Sequence, residues 1–577
     1  MKYLLLITTI ALFNFYYSFS KNNPYYSINK RNQSFINNDS TDLKFTRADS
    51  LRGSLMPERK WWDVQKYELN ITPNIEEKNI SGFNLITYKI IQDNNNLKMQ
   101  IDLQEPMMID SIFFDSGMPV DFIRDGNVWY LNMPFQKAGT ENSVLIYFHG
   151  TPKESRFPPW DGGWVWKKDD NSNPFISAAC QGFGASSWYP CKDHQSDEPD
   201  NGAVITINTS ADLTAIANGR FEPSADQTTD KISYRWIIKN PINSYCIIPY
   251  IGKYSDIKDS YQGEKGILDI DVWVLNYNTD KASSYLIPEI KKMLEALEYW
   301  YGPYPFYEDG YKLVEAPFAG MEHQSAIAYG NKFELGFWGR DRSGTGHGLK
   351  WDYMVVHESA HEWFGNSITS NDIADMWIHE TFADYAETLY TEYWFGKDAA
   401  NEYNKGLRKA IFNKKPVIGY YNVNKEGSPD MYAKGSNMIH SIRHGLNDDE
   451  KFRTMMREIT KTFYHKNVDT KQIEEFISGY LGFDYGKVFD QFLRNIKIPE
   501  LEIEISKSGD QVKIRYVNCI DGFNMPLTIN SDGKTLKIIP DTQWKTLNIN
   551  KSESILFDKN LIENNYYLTV NILSNTY

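Results

Sequence analysis

Cysteine is scarce in this chain: Cys180, Cys191, Cys246 and Cys519 are the four among 577 residues. Their scatter matches no zinc-finger spacing. Cys180 and Cys191 are the closest pair and could bridge, but free buried thiols serve as well. Positive charge is also in deficit, with 61 Lys and Arg against 75 Asp and Glu, a formal net charge of −14. That balance argues against nucleic acid or an anionic membrane as partner. Past residue 20 no run of 18 uncharged apolar residues occurs, so no later membrane span is expected. No internal repeat is visible. GTGHG at 344–348 lacks both a preceding strand and a Lys-Ser/Thr ending, which excludes a phosphate loop.

What is present is a long chain with 41% hydrophobic and 15% aromatic residues, enough for roughly three to four domains. Residues 1–20 carry Lys2, a mostly apolar stretch from Tyr3 to Phe13, and small residues at Ser18 and Ser20. This reads as a secretory signal, with an uncleaved anchor as the rival reading. No cysteine follows it, so a lipoprotein is not expected. A secreted or periplasmic protein is the expectation, soluble once the signal is removed. The abundance of Asn, Ile, Lys and Tyr suggests a bacterial source.

Residues 21–45 are polar and Asn/Ser-rich, a flexible lead-in. From 46 to 257 strand patterns dominate (YELNIT, NLITYKII, SVLIYFHG, AVITINTS, KISYRWIIK), separated by turn residues. FPPWDGGWVW (157–166) reads as a packed loop, with a substrate-facing role as the lesser reading. From 258 to 497 an alternating strand, LDIDVWVL, is followed by a helix on which Ile290, Met293, Leu294, Leu297 and Tyr301 recur, stopped by Gly302-Pro303. Helices then prevail. From 498 to 577 short alternating strands return (LEIEI, VKIRYV, LKIIP), as in a small β-sandwich.

Chemistry concentrates in VVHESAHEWFG, residues 355–365. His357 and His361, four apart on a helix, lie on one face and can reach one metal ion. Glu358 is turned about 100° away, placed to act on a water at the metal without being a ligand. Eighteen residues, 362–379, separate His361 from Glu380 in WIHETFADY, which can supply a third ligand from a second helix. Three protein ligands plus water define a catalytic zinc. Asp384 and Glu387 share a face with Glu380 and are rival ligands; acceptors for the histidine N–H groups, or helix-surface charge, is the better reading of both.

HESAHEWFGNSIT with WIHETFADY resembles the gluzincin signature of the aminopeptidase N and leukotriene hydrolase family. APFAGMEHQSA (316–326) is similar to that family's GAMEN segment, and MYAKGS (431–436) to its Tyr-x-Lys-Gly segment. Weaker matches run in the family's order from about residue 50 to 440. The resemblance implies an N-terminal all-β saddle domain, an α+β thermolysin-like catalytic domain and a small C-terminal β-sandwich. The C-terminal helical domain of many members is expected to be absent, which leaves open what closes the cleft there. It further implies one zinc per chain on His357, His361 and Glu380, with Glu358 as general base and Tyr432 as oxyanion donor. Glu322, with Gly320 and Met321 in the same segment and with Gln181, would bind the free N-terminus of a peptide. Two positions depart from the family: His323 after the anchor Glu and His379 before the third ligand, where Asn is usual. Supporting roles are expected for both.

The expected function is a zinc aminopeptidase. An endopeptidase and an epoxide hydrolase use the same residues, and a zinc-binding scaffold without catalysis is the reading from another class. A scaffold has no use for Glu358.

Overall fold

The computed structural model describes residues 45–573, apart from 116, 228–230, 532, 533 and 549–556. The leader at 1–20 and nearly all of the lead-in at 21–45 lie outside the described residues.

Strand patterning dominates the first half. Trp62–Asn74 alternates buried and half-buried positions along most of its length, as a strand with one core face must. It sits centrally in an eight-stranded sheet of the described residues. The order is Arg220–Gln227, Lys231–Ile238, Ala203–Ser210, Trp62–Asn74, Asn79–Ile90, Glu141–Gly150, Met108–Phe114, Met118–Pro119. Neighbours run antiparallel except Trp62–Asn74 with Ala203–Ser210. Tyr67, Leu69, Ile71, Ile86, Tyr88, Ile146, Phe148 and Ile205 fill its core.

The sequence reading of 157–166 as one packed loop needs correction. Gly163–Lys168 is a strand, antiparallel to Pro174–Ala179. Turn-forming residues (Pro158, Pro159, Asp161, Gly162) occupy only the first half of the segment, whereas Trp164, Val165 and Trp166 favour a pleated surface. The turn leaves Trp160 49% exposed.

A five-stranded sheet carries the site, in the order Tyr254–Gly263, Gly266–Leu275, Tyr311–Glu315, Ile327–Tyr329, Gly320–Met321. Helix α1 (Thr279–Tyr301) packs against it through Leu286, Ile290, Met293, Leu294 and Leu297. It ends at Gly302 with φ 89°, a conformation that favours glycine. Helix α2 (Tyr353–Ala360) begins at Asp352, whose carboxylate accepts from the Val355 N–H at 3.1 Å. Helix α3 (Trp377–Phe395) lies buried along most of its length; helix Lys397–Leu407 comes next, and helix α4 (Ala433–Leu446) lies further on.

At the C-terminal side, Lys545–Asn548, Gln511–Val517, Glu500–Ile505 and Thr569–Leu573 form a sheet, with Leu527–Ser531 and Lys534–Ile538 as a separate hairpin. Their apolar faces join the core that begins at Leu268, so one continuous core runs from Leu268 to Val570. Among the described residues no helix is long and apolar enough to cross a membrane.

Candidate metal centre

α2 and α3 bring His357, His361 and Glu380 together. Their donor atoms all lie within 4.8 Å of one another, and all three residues are buried. His361 falls just past the printed end of α2, but with φ −63° and ψ −19° it continues the helical path and keeps its face. The chain then leaves through Gly365 (φ 132°), where a Cβ would meet His361 Nδ1 at 3.1 Å. Glycine there lets the turn close over the imidazole.

Each imidazole is oriented from behind. His357 Nδ1–H donates to Glu387 Oε1 at 2.8 Å, and His361 Nδ1–H donates to Phe364 O at 3.0 Å. With Nδ1 committed, both Nε2 atoms face Glu380 Oε2, at 3.8 and 3.5 Å. Those separations are too long for good hydrogen bonds, and Glu380 Oε2 is buried with no hydrogen-bond partner. Tetrahedral ligands on bonds of 2.0–2.1 Å stand about 3.3 Å apart, so the three donors fit a single zinc-sized cation. Charge agrees: Glu322, Glu358 and Glu380 crowd two imidazoles. Burial raises Glu380, but His361 and His357 more than offset it and hold its carboxyl below the ordinary range.

Glu358 belongs to a second close group with Glu322 and His361. Burial lifts its carboxyl to about 7 against the pull of His357 and His361. Gly320 makes room for it, because a Cβ there would approach Glu358 Oε1 and Met354 Sδ to 2.7 Å. Met321 is buried beside it, and Glu322 follows directly. Gln181 Nε2–H donates to Glu322 Oε1 at 2.6 Å and reaches Glu380 Oε1 at 3.3 Å, while Tyr245 O–H donates to Glu322 Oε1 at 3.0 Å. Tyr432, immediately before α4, stacks on His357 with ring centroids 6.2 Å apart. Burial pushes its phenol well above the usual range, so the O–H stays available as a donor.

His357, Glu358, His361, Glu380, Glu322, Gln181 and Tyr432 thus lie around one place. Glu387 stands behind His357 and Asp384 lies 3.6 Å from Arg342 Nη2; neither belongs to the group of three. His379 Nε2 accepts from the Ser370 N–H at 2.9 Å, and His323 Nδ1 contacts Tyr250 Oη at 2.7 Å. Burial depresses both imidazoles to about 3, so they stay neutral. The four cysteines are free.

Sequence reasoning missed the outer support. Arg342 Nη1 donates to Glu387 Oε1 at 3.0 Å and to Tyr353 Oη at 2.7 Å, and Tyr403 O–H donates to Glu387 Oε2. Only Tyr353 left a signal, since it precedes His357 by four residues on the same face and stacks on it at 5.0 Å. Glu387→Gln is expected to weaken metal affinity about 10- to 100-fold, measured by chelator competition; unchanged affinity would remove Glu387 from the support of His357.

With the geometry in place, comparison with known proteins defines the class. Residues 286–492 match the Peptidase family M1 domain, and this part of the chain is an M1 peptidase domain. The probable aminopeptidase 2 of Sulfurisphaera tokodaii is 22% identical over 77% of this chain and 57% of its own length. Leukotriene A-4 hydrolase of Xenopus laevis is 23% identical over 61% of this chain and 56% of its own. The chain therefore spans little more than half the length of either curated relative. An M1 zinc metallopeptidase from Deinococcus radiodurans, solved bound to a Tyr-Ser-Ala substrate, superposes with a TM-score of 0.62 at 19% identity, over 76% of this chain and 95% of that one. That likeness shows the multidomain fold.

Proposed function

We propose that this protein is a zinc-dependent aminopeptidase that removes N-terminal residues from peptides. The observation that carries the reading is the carboxylate of Glu322, buried one step beyond the metal group and held by Gln181 and Tyr245. A free α-amine is a cation, and a carboxylate fixed there selects it and sets the scissile bond one residue in.

A zinc ion on His357, His361 and Glu380 would polarise the scissile carbonyl and lower the pKa of water to about 7. Glu358 takes the proton from the attacking water and passes it to the leaving amine. Tyr432 donates to the oxygen that becomes negative as the carbonyl is attacked. Glu322 and Gln181 hold the ammonium, and the edge strand Gly320–Met321 lies alongside Glu358.

The same reading treats residues 46–257, 258–497 and 498–577 as β, catalytic and β-sandwich domains. Export is supported by the charged and then apolar start of the chain, Met1–Ser20.

N-acetylated amino-acid anilides are expected to be poor substrates beside their free-amine counterparts. The charge-assisted bond they forgo is worth about 1.5–3 kcal/mol, a factor of about 10 to 150 in kcat/KM. Glu322→Ala should erode the preference with metal content unchanged. Internal cleavage seen by mass spectrometry, with acetylated peptides cut as fast as free ones, would make this an endopeptidase.

A further inference from the structure

We infer that Trp338 and Trp160 form an aromatic ledge that receives the side chains of a peptide substrate downstream of the scissile bond, favouring aromatic or apolar residues there. The inference rests on the aminopeptidase reading and extends it to substrate length and composition.

An unbroken run of rings leads from the metal group to the surface. Tyr353 stacks on His357 at 5.0 Å, and Phe337 meets Tyr353 edge-on at 5.2 Å. Trp338 follows at 4.9 Å from Phe337, and Trp160 meets Trp338 at 6.4 Å, near perpendicular. Phe337 and Trp338 are half-buried, and Trp160, at 49% exposure, ends the run.

Glu322 follows the edge strand Gly320–Met321 at one end, and the tryptophans lie by Ala319 and Pro317 before its other end. A peptide whose ammonium rests on Glu322 and that lies along this strand therefore runs toward the ledge.

Trp338 is also fixed beside the edge strand, and Trp160 packs against Trp338. Trp338 Nε1–H donates to Gly330 O at 2.8 Å, and Gly330 N–H donates to Ala319 O at 2.7 Å, next to Gly320–Met321. Trp160 sits in the turn before Gly163–Lys168, and Lys167 Nζ donates to Pro317 O at 2.7 Å. The ledge is therefore assembled from two turns beside the strand that leads to Glu322. An exposed indole fixed in this way presents a large apolar area at small entropic cost.

The test compares leucine anilide with free-amine tripeptides that differ only in a third residue of Phe or Ser, using wild-type protein, Trp338→Ala, Trp160→Ala and Trp338→Phe. Wild-type protein should favour the Phe peptide. Each alanine variant should raise KM for that peptide about three- to tenfold, the range of an aromatic pair contact. Its kcat and the kinetics on leucine anilide should stay within twofold, and Trp338→Phe should restore most of the preference. An equal KM rise on anilide and peptide, accompanied by a lower Tm, would reduce the tryptophans to packing residues and overturn the ledge. Unchanged KM on every substrate would overturn it as well, with the aminopeptidase reading intact. Wild-type protein that releases no residue from any free-amine substrate would overturn both readings.

Discussion

Glu358→Gln is expected to retain the metal while kcat falls by about 10²–10⁴-fold, the contribution of general acid–base catalysis. The substitution keeps shape and hydrogen-bonding capacity but removes the proton acceptor. Glu358 is outside the group of His357, His361 and Glu380, so elemental analysis should find the metal content of wild type. Gly320 already lies against the Glu358 side chain, and an amide of equal size disturbs that contact little. KM should change far less than kcat, because proton transfer is made in the transition state and not in substrate binding. Activity within a few-fold of wild type would remove Glu358 from the chemistry.

Glu380→Ala should abolish both metal binding and turnover. Glu380 is the one carboxylate in the group of three, and its Oε2 is the buried atom without a hydrogen-bond partner. Removing it leaves two imidazoles, too few for a catalytic zinc. The loss in affinity should exceed about 100-fold, the upper end for removal of a merely supporting hydrogen bond. His357→Ala should behave alike. Circular dichroism separates metal loss from unfolding, since α3 is buried along most of its length and must stay intact for the comparison to hold. A Glu380→Ala protein that is inactive yet fully loaded would transfer the third ligand to Asp384 or Glu387. The structure argues against that outcome: Glu387 is already engaged by His357, Arg342 and Tyr403.

The site was legible in the sequence where its parts are local. A four-residue spacing on a helix places two histidines on one face whatever surrounds them, and the following glutamate turns aside by the same geometry. Alternation likewise exposed the strands around YELNIT, AVITINTS and LDIDVWVL, each of which pairs in a sheet. Gly302 marked the end of α1 because few other residues tolerate its conformation. The segment 157–166 was misread because its prolines and glycines mask a strand that begins at Gly163 and is held by Pro174–Ala179.

Local pattern carries no information about which distant side chains meet. Gln181 and Glu322 are 141 residues apart and share a hydrogen bond; the resemblance, not spacing, put them together. Arg342 and Tyr403 behind Glu387 had no sequence signature, because a supporting hydrogen bond needs only proximity and a free donor. The same holds for the run from Tyr353 to Trp160, which crosses 193 residues of chain between its ends. By itself, then, the sequence determined what short-range geometry can express: the histidine pair, the turned-aside Glu358, the helix stops and the strand faces. The tertiary structure alone decided how Glu387 backs His357, how Glu322 is walled in by Gln181 and Tyr245, and where the aromatic run ends, since those depend on contacts that form only when separate sheets and helices pack together.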